Sequence, residues 1–148
     1  MTVRSKLRAA PTVARALPWV VRARWKIRRT SDLGTLLAAH DFGAAAPRPA
    51  RSVDSLRRGV DGALRVIGPR EEHCVPRGLA LMALLTRQGE RAVFVSGVRR
   101  DGTDLRGHAW VLVDGVPVEA EGGEAALAGF REQFRYESRG PGPRGSRS

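Results

Sequence analysis

Between residues 74 and 89 the stretch CVPRGLALMALLTRQG sets Leu79, Ala80, Leu81, Met82, Ala83, Leu84 and Leu85 in one nearly unbroken apolar run. Wound as a helix, it is apolar on most of its circumference, and such a helix is stable only when buried centrally. The rest of the chain must therefore supply layers around it. Pro76 fits the first helical turn, where its missing N–H is not needed, and Gly89 is a natural terminator. "RAVFVSGV" (91–98) then turns β-branched and aromatic, as a strand does. A polar loop, "RRDGTDLR", separates it from a second predicted strand, "GHAWVLV" (107–113). Asp114 and Gly115 offer a tight hairpin turn into a third, "VPVEAE".

Upstream, Val13, Leu17, Val20, Val21 and Trp25 approximate one face of a helix from Thr12 to Arg29, with Pro18 expected to kink or restart it. Ser31 and Asp32 read as an N-cap for a short helix ending near Gly43. After the linker "GAAAPRPARS", Ser52 caps a helix in which Val53, Leu56, Val60, Leu64 and Ile67 recur every three or four residues, stopped by Gly68 and Pro69. "EAALAGFREQF" predicts a closing helix, and "ESRGPGPRGSRS" a disordered tail. Helices, a central helix and then an antiparallel meander make the class α+β. The expected organisation is a basic helical part over 1–51, a core over 52–135 belonging to the same domain, and a tail over 136–148.

With 148 residues, 42% hydrophobic and 28% charged, the chain is a soluble, globular, one-domain protein by composition. No apolar run approaches a bilayer span, and the island "ALPWVV" lacks the flanks of a secretory signal. The expected location is the cytoplasm, in keeping with a single cysteine that has no internal disulfide partner. The formal net charge is +11 and lies unevenly, since Arg4, Lys6, Arg8, Arg15, Arg22, Arg24, Lys26, Arg28 and Arg29 precede the first acid, Asp32. Such a face suits nucleic acid, a membrane surface or an acidic protein. With three Trp, one Tyr and four Phe, and no nucleic-acid-binding signature, nucleic acid is not expected as a partner. The membrane surface is a weak alternative.

Cys74 stands at the predicted start of the buried helix, where unpaired amides and the positive end of the helix dipole favour a thiolate. The bland alternative is a small buried hydrophobe. Of three histidines, His40 is expected to face solvent or pack locally, and His73 to be a loop residue. His108 opens a strand and is the candidate base, because a helix start packed on a sheet can meet a strand histidine. One cysteine and scattered histidines show no paired-ligand spacing, so neither a metal site nor any cofactor is expected.

"CVPRGLALMALLTRQGERAVFVSGVRRDG" followed by "GHAWVLVDGVPVEAE" resembles the transglutaminase-like cysteine peptidase half of lasso peptide biosynthesis B proteins, the microcin-processing type. The likeness runs from about Ser52 to Val118. It implies a papain/transglutaminase-like core, with helices on a small antiparallel sheet, in a bacterial peptide-maturation system. It also implies Cys74 as nucleophile and His108 as general base and acid. The implied substrate is a lasso precursor peptide, cut between leader and core. The implied partners are a companion protein that grips the leader and an ATP-dependent cyclase that closes the freed core.

The family commonly places an Asp twelve residues after the histidine, where this chain has Ala120; Leu112 also stands where relatives often carry Glu. With a two-residue turn, Val113 pairs with Val116, Trp110 with Glu119 and His108 with Glu121. Cross-strand neighbours have Cβ atoms roughly 4.5 to 5.5 Å apart. Glu121 is then the first candidate to orient His108 and Glu119, on the same face, the second. Asp114 lies roughly 20 Å along the strand and belongs to the turn. A three-residue turn would send both glutamates to the other face. Trp110 shares the face of His108 and either shields the site or joins the core. Two other functions use the same features: a transglutaminase-like acyltransferase, and a noncatalytic basic binding module.

Overall fold

The computed structural model describes residues 3–43, 51–68, 73–119 and 123–139. Its elements in chain order are helices α1 (Val3–Ile27), α2 (Leu33–His40), α3 (Val53–Ile67) and α4 (Cys74–Arg87), strands β1 (Ala92–Asp101), β2 (Asp104–Val113) and β3 (Val116–Pro117), the short helix α5 (Gly123–Ala126) and strand β4 (Arg131–Glu137). The strands form one antiparallel sheet in the order β3-β2-β1-β4. The class is α+β, as the element pattern predicts.

Every residue of α4 from Gly78 to Thr86 is buried. α1 and α3 pack on it from one side, α2 adds a further contact, and β1 and β2 cover it from the other. Its leucines and Met82 share one core with Ala16, Val20, Leu56, Val60, Phe94 and Val111. Each fully buried side chain of this size contributes about 1.5–3 kcal/mol. Close approach is needed on the sheet side, where a Cβ on Gly78 would sit 2.5 Å from the Phe94 ring.

α1 runs without a break through Pro11 and Pro18, so the expected restart at Pro18 does not occur. A proline removes one helical hydrogen bond, whereas Ala16, Val20 and Ala23 on the inner face are 0–1% exposed; that burial outweighs the lost bond. Two glycines of α3 let the helices meet. A Cβ on Gly59 would lie 2.7 Å from the Thr12 carbonyl oxygen, and one on Gly62 2.5 Å from Val13 Cγ2. The caps follow the sequence pattern: Asp32 accepts from the Gly34 amide, and Ser52 from that of Ser55.

The sheet departs from expectation in three places. The expected polar loop at 99–106 is instead the far end of a long hairpin, with Asp101 paired to Asp104. Gly102, at positive φ, takes the first turn position, where a two-residue turn of type II′ uses glycine. The closing helix ends after Ala126, and residues 131–137 form β4 beside β1. Phe134 and Tyr136 alternate there with polar residues and pack against the core, a period-2 pattern that wins over helical spacing. Finally, Ser138 and Arg139 of the expected tail are tied down: the Ser138 amide donates to the Ala92 carbonyl, and the Arg139 amide and Tyr136 hydroxyl donate to the buried Asp41 carboxylate at 2.9 Å. The rest of the tail lies outside the described residues.

Gly59→Ala is expected to destabilise the protein by about 1–3 kcal/mol, as overpacking does, although the same change in an exposed helix stabilises by about 1 kcal/mol. Urea unfolding followed by circular dichroism reads the sign; stabilisation would contradict the close α1–α3 contact.

Candidate active site

Cys74 is the first residue of α4, with a free, half-buried thiol set against the rim of the core. His73 precedes it in an α-helical conformation and makes no side-chain cap hydrogen bond, unlike Asp32 and Ser52 on the neighbouring helices. The first amide of α4 with a partner inside the turn is that of Arg77, which donates to the His73 carbonyl. The amides of Cys74 and Val75 precede that turn, at the positive end of the helix dipole.

His108 lies in β2 opposite Gly97 of β1. Its side chain is 30% exposed, and its ring stacks on Trp110 at 6.1 Å and meets Phe130 at 5.6 Å. Alternation along the strand explains the company it keeps. Ala109, Val111 and Val113 belong to the core that encloses α4, whereas the buried Val95 and Trp110 stand outside that cluster. His108 has the parity of Trp110. Gly97 makes room for this arrangement, since a Cβ there would meet the Trp110 ring at 3.0 Å. Burial, and then the Arg77 guanidinium, hold the His108 pKa below its ordinary 6.5. The imidazole is thus neutral at neutral pH, the form a general base needs.

The two-residue turn at Asp114 and Gly115 is present, both residues having positive φ, and Val113 pairs with Val116. The Val118 amide donates to the Val111 carbonyl at 2.8 Å, which carries the register one step further. Glu119 follows, and its carboxylate lies 3.9 Å from His108 Nε2. Glu121 and Ala120 lie outside the described residues, so the carboxylate found beside His108 is the second of the two candidates. Burial pushes the Glu119 carboxyl up, against the pull of Arg77.

Arg77 and Asp61 have no place in the sequence-based site. Arg77 sits on α4 one helical turn after Cys74, at a spacing that puts the two on neighbouring parts of one face. Its Nη1 donates to Glu119 at 3.3 Å and to the Val118 carbonyl at 3.0 Å, and its Nε to Asp61 of α3 at 2.7 Å. The structure thus joins His108, Glu119, Arg77 and Asp61 in one run of contacts that starts a turn away from Cys74. Among the described residues no hydrogen bond joins the Cys74 thiol to His108. No local pattern marks Asp61, since it acts across two helices. Phe130 likewise falls where a helix is expected.

Of the two placements expected for His40, the structure shows local packing: it is fully buried, its Nδ1 2.7 Å from the Leu36 carbonyl oxygen. Asp114 is confined to its turn and Leu112 is half-buried in β2. Among the described residues no group of three or more His, Cys, Asp or Glu side chains could hold a metal ion, and no helix is long and apolar enough to cross a membrane.

The structure is thus an α+β protein with a free cysteine at the start of a buried helix, a histidine on β2 and the Glu119 carboxylate just beyond β3. Residues 13–135 match the transglutaminase-like superfamily, and the chain belongs to it. No curated protein matches the chain, nor does any solved structure. The superfamily is generally one of cysteine proteases and acyltransferases, and the match takes in α1 from residue 13 and the sheet up to residue 135.

The buried histidines give the protein a pH signature. His40 and His108 both have native pKa values below the ordinary 6.5, burial being the first cause in each. Their stabilisation is complete above 6.5 and is lost as pH falls toward the native values, because the unfolded chain then binds protons that the native one refuses. Glu119 acts with the opposite sign, its raised pKa costing stability as pH rises through it. Urea midpoints are therefore expected to fall as pH drops past 6.5, with a flatter slope in His40→Gln. An unchanged slope in that variant would remove His40 as the cause.

Proposed function

We propose that the protein is a leader peptidase that hydrolyses the leader–core bond of a lasso peptide precursor. The observation that carries this reading is the superfamily match together with the free thiol of Cys74 on an uncapped helix start. The resemblance of the Cys74 helix and the His108 hairpin to lasso B proteins supplies the substrate class. Cys74 attacks the scissile carbonyl, and the amides of Cys74 and Val75 receive the oxyanion. With Nε2 directed at Glu119, Nδ1 of His108 is the atom that takes the thiol proton and returns it to the departing amine. Water, deprotonated by the same nitrogen, then cleaves the thioester and releases the leader acid. The freed core amine is the group that a separate ATP-dependent cyclase joins to a carboxylate.

The companion that grips the leader docks, in this proposal, on the outer face of α1. Leu17, Pro18, Val21, Arg22 and Trp25 line an open groove of about 570 Å³ there. Val21 and Trp25 are 52% and 53% exposed, and the Arg29 guanidinium covers the Trp25 ring at 4.1 Å. Apolar anchors set among arginines suit an apolar segment rimmed by acids. An acyltransferase would use the same groups with an amine in place of water.

Cys74→Ala is expected to abolish processing of precursor incubated with the companion, and to leave complex formation intact. Mass spectrometry of the wild-type reaction should show two fragments whose masses sum to precursor plus water. A single product in which a glutamine carboxamide gains an amine and loses ammonia, or a leader fragment capped by an amine beside the freed core, would establish the transferase instead, and processing by Cys74→Ala would exclude both. Trp25→Glu is expected to weaken companion binding about tenfold or more, the usual cost of losing a buried aromatic anchor, measured by titration calorimetry; unchanged affinity would move the docking surface elsewhere.

A further inference from the structure

We propose that Arg77 and Asp61 are positioning residues for His108: Asp61 on α3 fixes the Arg77 guanidinium, and Arg77 holds the Glu119 carboxylate beside Nε2 of the imidazole. The proposal rests on the Cys74–His108 reading above and adds to it the part that orients the base.

The geometry carries the argument. Glu119 follows the last described ladder contact, the Val118 amide on the Val111 carbonyl, so strand pairing alone does not fix its side chain. What fixes it is Arg77, whose Nη1 bonds both the Val118 carbonyl and the Glu119 carboxylate. One guanidinium thus grips backbone and side chain of the same short segment. Arg77 is itself immobilised by the 2.7 Å bond from its Nε to Asp61, and Asp61 is braced by Arg57 at 3.3 Å on its own helix. The side chains of Arg77, Asp61 and Glu119 are 13%, 18% and 14% exposed, dry enough for these ion pairs to hold one geometry. Arg77 Nη2 is buried and has no hydrogen-bond partner among the described residues. A guanidinium with a donor left over is held by its place in the relay rather than by complete satisfaction of its own bonds.

The relay has a chemical consequence. A carboxylate beside Nε2 selects the tautomer protonated there and leaves Nδ1 bare for the thiol. Arg77 also sets an opposing charge. It draws Glu119 toward itself at 3.3 Å, against 3.9 Å to His108, and disfavours imidazolium. The resting imidazole is then neutral, the form that acts as a base. From β4, Glu132 stands across Gly97 from His108 and is held by Arg135 at 2.7 Å, and Arg99 is engaged over Phe130 at 4.7 Å.

The test uses the full chain labelled at the histidine ring nitrogens, with Asp61→Asn and Arg77→Lys compared with wild type. Wild-type His108 should show the Nε2-protonated tautomer at neutral pH. In both variants the ring should pass to a mixture of tautomers, while the melting transition remains cooperative. Arg77→Lys keeps a cation but cannot bridge Asp61, the Val118 carbonyl and Glu119 together, so it answers the question even if Asp61→Asn fails to fold. With precursor and companion, kcat should fall by up to about a hundredfold with KM unchanged. A wild-type tautomer and kcat in either folded variant would overturn the proposal. The underlying reading is checked separately by alkylation of Cys74 with iodoacetamide. If His108→Gln leaves its pH profile unchanged, thiol and imidazole are uncoupled and the reading itself fails; if it shifts while the relay variants behave as wild type, only the relay fails.

Discussion

The burial of α4 on all sides is the constraint from which the rest follows. A helix with no solvent face needs helical layers behind it and a sheet in front, and this short chain has little material for either. It meets the demand by close approach. Gly59 and Gly62 bring α3 onto α1, and Gly78 brings α4 onto Phe94. The Thr86 hydroxyl, buried within α4, accepts from the Phe42 amide and donates to the Met82 carbonyl, so the one polar group deep in the helix also anchors the segment after α2. A helix so enclosed has no freedom to slide or tilt. Its first turn, with Cys74 and Arg77, is therefore a fixed edge against which the sheet can be registered.

The electrostatics of the site follow from that rigidity. In a mobile surface cluster an arginine between two carboxylates would contribute little, because water screens it and side-chain entropy opposes it. Here Arg77 and its partners are mostly buried, and removing Arg77 would leave the Glu119 carboxylate desolvated without its arginine partner. The cost of assembling the cluster is offset by the core, not by the ion pairs themselves. Burial and Arg77 both lower His108, while burial raises Glu119 and Arg77 restrains it. The environment thus favours a neutral imidazole beside a carboxyl group, and Arg77 is the group that acts on both.

The parts of this arrangement legible in the sequence are those with a local cause. The apolar circumference of residues 79–85, the caps at Asp32 and Ser52, and the Asp114–Gly115 turn each depend on residues within a few positions of one another, and each is where the pattern puts it. The continuity of α1 through Pro18 is not local, because it depends on what its inner face buries. β4 was hidden for a similar reason. "REQFRYE" has both helical and alternating readings, and the free edge of β1 decides between them. At the site, Cys74 and His108 stand out because a helix start and a strand start mark them. Arg77 and Asp61 do not, since an arginine inside a helix and an aspartate on an amphipathic one look like solvated charge until the packing of α3 on α4 brings them together. Of the two glutamates, Glu119 is the one among the described residues, and it is held by a side-chain clamp from Arg77 that a pairing rule does not contain; Glu121 lies outside the described residues.

The same scarcity of material bears on how such a chain would choose a substrate. Among the described residues most of the large buried apolar side chains enclose α4, and the aromatic residues on the other side of the sheet, Trp110 and Phe130, wall His108. Little remains to build a deep groove for an extended peptide. On the function proposed above, affinity would come from surface outside the chemistry, and an exposed apolar patch among the described residues lies on α1, at Val21 and Trp25 amid arginines. Selectivity, under the same proposal, would come from a companion protein that raises the local concentration of the scissile bond, because tethering makes the encounter effectively intramolecular. In that proposal the positive face of α1 and the economy of the core go together: the domain's own residues serve acyl chemistry, and recognition falls to the companion.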